Sequence, residues 1–447
     1  MRTPHRIAAL SLLSVLALAG RARADVSLAN GDGWEVYTSG RLGVFVEALK
    51  GGALPQAYAL YDTDNDPSTP SVYLPIHPVG NGGIGVQSDP VLGPDGSYRQ
   101  GPVFASRVRS GFLGNILGVG MRRRLTERTT LSGFVSIWGT TETDSRRTWF
   151  KNVPDMREAY TRVEGPAGTV TAGRALSLFS RGAVEIDFLY GHGFGVGNPA
   201  GFDEYGPSAG HIGYGVLAPV FVGGVTYATP RLHGLQLTVG YFDPASFVGL
   251  YWTRTKFGRP EAEATFDSPL GQIGKLHLFA NGAFQKVYAT DVPRDTSVYG
   301  AGGGGRLELG RFHLGVAGHY GQGLGIGYAL DGSDAVLSQF TTQQLRKFSG
   351  LYAQAQVVLG SFDVNGGWGV TRVEPLGADT DPMYFDMTTM QPQRSFLKQQ
   401  MGISGVVVYH VTSNLHLAFD YFNSNVKWQQ GETQTVHSFN VGSTLTW

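Results

Sequence analysis

The sequence is poor in charge, contains no cysteine and, beyond its N-terminal region, has no long apolar run. Without cysteine, disulfide bonds and thiolate metal sites are excluded. Charged residues make up 16% of the 447 residues, well below the ~25% typical of soluble domains. No later apolar stretch approaches the ~20 residues that a spanning helix needs, and the mean hydropathy is only −0.09. The chain is therefore not a helical membrane protein, and no polybasic stretch indicates nucleic-acid binding.

The N-terminus has the pattern of a cleaved secretory signal. Arg2 and Arg6 precede an apolar run over residues 7–19, and Ala22-Arg23-Ala24 follows as a small-x-small cleavage site. This pattern predicts a signal peptide over residues 1–24 and a mature protein over residues 25–447. The signal region carries four of the 35 basic residues and no acidic one, so 31 basic residues remain against 35 acidic ones.

The last eleven residues, 437–447, alternate between apolar and polar side chains. Phe439, Val441, Leu445 and the terminal Trp447 share one parity, while small polar residues dominate the other. Successive side chains of a strand face opposite sides, so one face suits hydrocarbon and the other suits water. Because a bilayer tolerates no open sheet edge, this strand must pair with both its predecessor and the first strand. The pattern predicts an all-β fold, a transmembrane antiparallel β-barrel over residues 25–447.

The rest of the chain repeats this alternation. The first strand covers residues 34–47, and four more fall within 104–174. Eleven lie between 213 and 447, among them strands at 213–229 and 312–329, which predicts about 16 strands. Parity slips between Phe112 and Gly120, so residues 104–124 form either one long strand with a bulge or two strands with a tight turn near Gly114 to Gly118. Short connections alternate with long polar ones, as periplasmic turns alternate with external loops.

A long polar segment over residues 49–102 is predicted to be an external loop. Within it, Asp62, Asp64 and Asp66 are spaced like the opening of a calcium loop. The glycine and the distal glutamate of an EF-hand are missing, so a solvated loop is favoured over a divalent-ion site.

Arginines on the polar parity are candidates for the interior of the barrel. Arg41 and Arg162 occupy such positions in their strands, either as lining residues or as solvated wall residues. The triplet Arg122 to Arg124 has two open interpretations, one inside the barrel and one at its periplasmic rim, where long side chains snorkel to headgroups.

Three segments resemble the general diffusion porins of Gram-negative bacteria, of the trimeric type common in beta-proteobacteria. SRVRSGFLG at 106–114 resembles the second strand of that family, and HSFNVGSTLTW at 437–447 resembles its closing strand. AYTRVEGPAGTVTAGR at 159–174 resembles the hairpin whose closing Gly-Arg precedes the constriction loop. The chain departs from the family at its Gly-x-Glu-Asp-Leu-Gly turn, which is GNILGVG here, at its longer first loop and at its final residue, which is Trp instead of Phe.

The resemblance implies a constriction inside the barrel. Arg107 and Arg174 match family arginines that line it, and residues 175–212 take the place of an inward-folded third loop. The acidic residues of this segment would face the arginines, although Glu185 and Asp187 could instead belong to an external loop that binds lipopolysaccharide through divalent cations. The candidate pore-lining residues are Arg41, Arg107, Arg109, Arg162, Arg174, Glu185, Asp187, Asp203 and Glu204.

The resemblance also implies passive diffusion of small hydrophilic solutes and ions through the outer membrane of a Gram-negative bacterium, with no cofactor. It further implies a homotrimer, contact with outer-membrane lipid and lipopolysaccharide, and recognition of Trp447 by the barrel-assembly machinery. The alternatives are a channel selective for phosphate, other anions or sugars, and a plugged structural or adhesive barrel. An enzyme such as a lipase would need a Ser/His pair outside, but His437 and Ser443 are separated by ~20 Å at ~3.3 Å per residue.

Overall fold

The computed structural model describes residues 25–53, 90–92, 94, 98–111, 114–139, 155–188, 211–245, 256–288, 295–327, 329–330, 345–375, 385–386, 391–392, 397–429 and 431–447. Four predictions concern residues outside these ranges: the signal peptide at 1–24, the three aspartates at 62–66, Asp203 and Glu204. Among the described residues, no helix has the length and apolar character required to cross a membrane.

The described part of the chain is almost entirely β-structure, with one short helix, α1, at Arg181–Ile186. The strands are β1 Val26–Gly31, β2 Trp34–Gly51, β3 Pro90–Leu92, β4 Tyr98–Gln100, β5 Val103–Arg109, β6 Asn115–Thr126, β7 Thr129–Gly139, β8 Asp155–Gly165, β9 Gly168–Leu176, β10 Phe221–Ala228, β11 Leu235–Phe242, β12 Arg259–Pro269, β13 Gly274–Tyr288, β14 Asp295–Leu309, β15 Phe312–Gln322, β16 Lys347–Leu359, β17 Phe362–Val373, β18 Phe385–Asp386, β19 Gln391–Pro392, β20 Leu397–His410, β21 Leu415–Trp428 and β22 Thr433–Thr446.

The sheet closes on itself because β2 pairs with β22, from Arg41 opposite Thr446 to Gly51 opposite Val436. β1 continues the row of β22 along the same edge of β2, with Val26 opposite Thr38. β5 and β6 together occupy the other edge of β2. The 18 strands of the sheet therefore form 16 rows. This confirms the predicted closed antiparallel barrel of 16 strands.

The irregular region around residue 112 interrupts one row of the barrel and does not reverse the chain. Arg109 lies opposite Phe45, and Ile116 lies opposite Arg41, so the β5–β6 row has three more residues than β2 over this stretch. The backbone of Gly114 donates to Gly111 at 3.0 Å, which closes a local bulge. The structure therefore agrees with the one-strand alternative, because the strand continues in the same direction beyond the bulge.

The two faces of the wall differ as the alternating sequence predicts. In β2, Leu42, Val44 and Val46 are 50%, 47% and 55% exposed, whereas the intervening Phe45 and Glu47 are 1% and 0% exposed. In β22, Phe439, Val441 and Leu445 are likewise exposed, and Ser438, Asn440 and Thr444 are buried. The outer surface is therefore apolar, and the polar side chains face the interior.

Short and long connections fall at opposite ends of the barrel. The pairs β1–β2, β6–β7, β8–β9, β14–β15 and β16–β17 are each joined by two residues. The connections from β9 to β10 and from β17 to β20 are long. Short turns mark the periplasmic end of such barrels, so we refer to this end as the short-turn end.

Two predicted strands are longer than the observed ones. The strand predicted at 213–229 begins only at Phe221, and the strand predicted at 312–329 ends at Gln322. The residues concerned make contacts away from the ladder: the backbone of Ala218 donates to Gly327 and accepts from Ala329. The apolar residues that lengthened the two predicted strands belong to segments that are themselves buried, so the alternation in the sequence extends beyond the observed strand ends.

Candidate functional site

The segment that follows β9 is fixed to the inner side of β12 by a glutamate. The backbone N–H groups of Leu178 and Phe179 both donate to Oε2 of Glu261 at 2.7 Å. The other carboxylate oxygen of Glu261 accepts from Nε of Arg259 at 2.6 Å. Both side chains are buried on β12, so the carboxylate satisfies the chain's N–H groups while the guanidinium balances its charge.

The helix α1 is held at its other end by β16. The hydroxyl of Tyr352 donates to the carbonyl of Ala183 at 2.7 Å. The amide of Gln354 donates to the carbonyl of Ile186 at 2.7 Å and accepts from the backbone N–H of Phe188 at 2.9 Å. A helix of six residues is not stable alone, so these side-chain contacts determine its position.

The returning part of the segment, residues 211–220, contacts the inner side of three further strands. The backbone N–H of Gly215 donates to Oγ1 of Thr371 on β17 at 2.9 Å. The hydroxyl of Tyr214 lies 2.6 Å from Oγ of Ser424 on β21. Nε2 of His211 lies 3.5 Å from Oγ of Ser404 on β20. The two flanks of this segment, residues 177–188 and 211–220, therefore contact β12, β16, β17, β20 and β21. These strands cover a wide arc of the inner face.

Beside α1, a cavity of about 530 Å³ extends along the wall toward the short-turn end. Its lining contains threonines, glutamine and charged side chains of both signs. The charged residues that line it are Arg162, Glu164, Arg181, Glu185, Arg231 and Asp267. Two of the candidates chosen from the sequence, Arg162 and Glu185, thus line one cavity.

The three arginines that line this cavity make different contacts. Arg181 pairs with Glu263 and lies 3.7 Å from Glu185, and Arg231 pairs with Asp267. Arg162 donates through Nε to Oγ1 of Thr171 at 3.2 Å, and its guanidinium lies 5.1 Å from the ring of Tyr160.

Glu185 belongs to α1 and not to a membrane-spanning strand. Burial raises the pKa of its carboxyl to about 7, although the charge of Arg181 acts in the opposite direction. Its side chain is still 26% exposed. The carboxyl therefore changes its charge near neutral pH while it remains in contact with the cavity.

The arginines of the first two rows lie on the inner face but are packed into the wall. Nη1 of Arg41 donates to the carbonyl of Gly114 at 3.2 Å, inside the bulge. Arg109 lies 3.5 Å from Glu47, and both side chains are nearly inaccessible. Arg107 is directly opposite Glu47 in the register. Arg41 shares the parity of the buried Phe45 and Glu47, and Arg41 and Arg109 contact residues of their own wall.

Arg174 lies on the outer side of β9, whereas the resemblance assigned it to the passage. It shares parity with Val170 and is opposite Ala159 and Gly223, which belong to the outward sets of their strands. The inward positions of β9 near it are Gly173 and Ala175, which line the cavity. The structure thus does not bring Arg174 together with Arg162 and Glu185.

The arginine triplet of β6 lies at the short-turn end. Arg122 donates to Glu35 at 2.7 and 2.9 Å and to Asp25 at 3.2 Å. The guanidinium of Arg123 lies 5.8 Å from the ring of Trp34. This position next to the turn at 127–128 fits the rim interpretation.

Sequence reasoning missed several charged residues of the interior. Arg259, Glu261 and Glu263 share the inward parity of β12, with Pro260 and Ala262 between them. This alternation is a signal that could have been used. Arg157 could not be found in this way, because a bulge opposite Ser136 and Ile137 turns both Arg157 and Glu158 inward. Arg157 donates to Asp155 at 2.9 Å and packs 4.9 Å from the ring of Trp138.

The described residues contain no group of three or more His, Cys, Asp or Glu side chains that could hold a metal ion. A barrel with an apolar outer surface, a polar interior and a charged internal cavity defines the class of transmembrane channel proteins.

Comparison with known proteins makes this assignment specific. The family model described as Gram-negative porin matches residues 8–444, and the chain belongs to this family. It is an outer-membrane channel for the diffusion of small solutes.

Solved structures with the same fold share little sequence with the chain. The outer membrane channel DcaP of Acinetobacter baumannii is 12% identical, with a TM-score of 0.61 over 94% of this chain and 100% of that chain. An anion-selective porin from Comamonas acidovorans is also 12% identical, with a TM-score of 0.54 over 93% and 100% of the two chains. No curated protein sequence matches the chain. These similarities concern the fold alone.

Proposed function

We propose that the connection between β9 and β10, described at residues 177–188 and 211–220, acts as an inward-folded third loop that narrows the channel. Solutes then pass between α1 and the wall from β8 to β12. The contacts of both flanks of this segment with β12, β16, β17, β20 and β21 carry the proposal. A barrel of 16 strands is wide enough to hold water, so rejection of large solutes requires an obstruction of this kind.

The charges around the cavity support general diffusion. Three arginines and three carboxylates line it, so its formal charge is balanced when Glu185 is ionised. Opposed charges across a narrow passage orient dipolar solutes and give only weak preference between anions and cations. A channel selective for phosphate or sugars would instead show saturable flux and block by its substrate.

The lining residues of this proposal are Arg162 and Glu185, with Arg181, Arg231, Glu164 and Asp267 added from the cavity. Arg41, Arg107 and Arg109 act as positively charged wall residues behind the passage, and Asp187 fixes the base of the loop. Asp203 and Glu204, which lie outside the described residues, belong to the same acidic segment.

Cysteine modification tests the path directly, because the chain has no cysteine of its own. Thr171 lines the cavity, and its neighbour Val170 is 44% exposed on the outer surface. A charged thiosulfonate reagent should reduce the single-channel current of Thr171→Cys in a planar bilayer and leave that of Val170→Cys unchanged. Equal responses would contradict the path, and a correctly folded barrel that does not conduct would favour the plugged alternative.

The assembly and environment are proposed from family membership. The mature chain, residues 25–447, forms a homotrimer in outer-membrane lipid and lipopolysaccharide, and the C-terminal strand with Trp447 is recognised by the barrel-assembly machinery. The protein has no catalytic activity and needs no cofactor. Native electrophoresis and conductance steps in groups of three test the trimer, and hydrolysis of lipid by the purified barrel would contradict the absence of catalysis.

A further inference from the structure

Two histidines and an aspartate form a cluster on the inner face, away from the cavity beside α1. His410 ends β20 and His416 lies near the start of β21, directly opposite it in the register. Their Nδ1 atoms are 2.8 Å apart. Nε2 of His410 lies 2.8 Å from Oδ2 of Asp363 on β17. The four-residue connection 411–414 locates the cluster at the short-turn end.

These contacts determine the protonation of His410. A carboxylate only accepts, so Nε2 of His410 carries a hydrogen and donates to Asp363. When both rings are neutral, Nδ1 of His410 then carries the lone electron pair of its ring and accepts the hydrogen bond that Nδ1 of His416 donates. The two Nδ1 atoms therefore face each other with a single hydrogen between them.

We propose that this pair is a binding site for a divalent transition-metal ion such as Cu²⁺ or Zn²⁺. His416 moves its N–H to Nε2, and both Nδ1 electron pairs then bind the ion. No net proton is released from the neutral pair. Imidazole nitrogen suits copper and zinc. The site has two protein ligands, and water fills the remaining positions.

Two further features fit this assignment. A histidine that binds a metal usually donates its other ring N–H to a carboxylate, and Asp363 already accepts this bond from His410. Thr444 lies directly opposite His416 on β22. Thr444 is 1% exposed, and its hydroxyl has no hydrogen-bond partner in the part of the chain that the structure describes. A water on the ion would provide that partner.

The geometry requires only a small rearrangement. For Zn²⁺, metal–nitrogen bonds of about 2.0–2.1 Å with a tetrahedral angle place the two nitrogens about 3.4 Å apart. The rings must therefore separate by roughly 0.6 Å from the 2.8 Å observed. Rotation of the side chains suffices, because the partly exposed histidines are on the lumen side of the wall.

Copper resonance on the refolded barrel, without an affinity tag, tests the site. Cu²⁺ should bind with one ion per chain and show hyperfine structure from two nitrogens, and a large excess of Zn²⁺ should compete with it, since copper binds such nitrogen sites more tightly than zinc. His416→Gln and His410→Gln should each lose the two-nitrogen signal. The matched control is His313→Gln, since His313 contacts Gln356 on another part of the inner face and its loss should leave the signal unchanged.

Asp363→Asn tests whether Asp363 positions His410 without binding the ion itself. It should keep the two-nitrogen spectrum but bind copper about 10–100-fold more weakly. Heat-modifiable electrophoretic mobility confirms that each variant is folded. An unchanged copper spectrum in folded His416→Gln, or no stoichiometric binding by the unmodified chain, would overturn the proposal.

Discussion

Asp187 and His211 are joined by two contacts to a single oxygen. Oδ2 of Asp187 accepts from the backbone N–H of His211 at 2.9 Å and lies 3.2 Å from its ring Nδ1. Both side chains are fully buried. The ring of His211 also stacks on Tyr352, with centroids 4.8 Å apart. This pair connects the outgoing and returning flanks of the loop at its base. The two flanks are therefore held to each other as well as to the wall.

Asp187→Ala should loosen the base of the loop. The substitution leaves the buried N–H of His211 without its acceptor, which costs about 1–3 kcal/mol. We expect larger fluctuations of the open-channel current and faster cleavage of the folded barrel by added protease. Glu308→Ala, which removes a carboxylate from an ion pair near a short turn, is the control. Cleavage rates equal to those of the unmodified chain would contradict this role of Asp187.

The ion preference of the channel should depend on pH through Glu185. Because its pKa is raised to about 7, the carboxyl is mainly neutral at pH about 6 and mainly charged at pH about 8. The cavity gains negative charge as the pH rises, so the reversal potential in a KCl gradient should shift toward cation preference. A unit charge about 7 Å away in water contributes about 0.6 kcal/mol, a factor of about 2–3 in permeability ratio.

Glu185→Gln is the matched variant for this measurement. It retains the size of the side chain and cannot ionise, so its reversal potential should change less between the two pH values. If the variant and the unmodified chain show the same change, another group is responsible for the pH dependence.

The wall could be predicted because its determinants are local. Leu417 and Phe419 alternate with His416 and Ala418 within a few residues, and each strand needs only the next strand for its ladder. The 16 rows and the lipid-facing parity follow from that repetition. The bulge near Gly111 was visible only as a slip of parity, since its form depends on the register against β2.

The site could be predicted only in part because its contacts are distant in sequence. Gln354 holds the helix α1 from 168 residues away, and no local pattern in either segment specifies that pairing. The inward orientation of Arg157 depends on a bulge that only the partner strand reveals. For Arg174, parity with Val170 and Ala172 indicated the outer face, and the structure follows parity instead of the family resemblance.

Arg162 and Arg174 form a natural pair for testing the passage. Arg162 lines the cavity, whereas Arg174 lies on the outer side of β9. Arg162→Ala should move the reversal potential toward cation preference, by the factor of about 2–3 expected for one nearby charge. Arg174→Ala should leave it unchanged. The opposite result would show that Arg174 lines the passage and that Arg162 does not.

Closure of the barrel depends on a glycine that accommodates the terminal tryptophan. The backbones of Gly40 and Trp447 are joined by hydrogen bonds of 2.8 and 3.1 Å. A Cβ at Gly40 would lie 2.2 Å from the indole ring and 2.7 Å from the carbonyl of Ile116. Gly40→Ala must therefore displace backbone as well as side chain, and overpacking of this kind costs about 1–3 kcal/mol.

We expect Gly40→Ala to lower the temperature at which the refolded barrel loses its heat-modifiable band and to reduce the yield of folded protein. Gly405→Ala is the control, because Gly405 also lies within a strand but an added Cβ there meets nothing within 4 Å. The double variant Gly40→Ala with Trp447→Phe tests the contact itself. The smaller ring relieves the clash with the side chain but not with the carbonyl of Ile116, so stability should recover only partly. Full recovery would show that the indole alone requires a glycine, and no recovery would assign the defect to the backbone of β6.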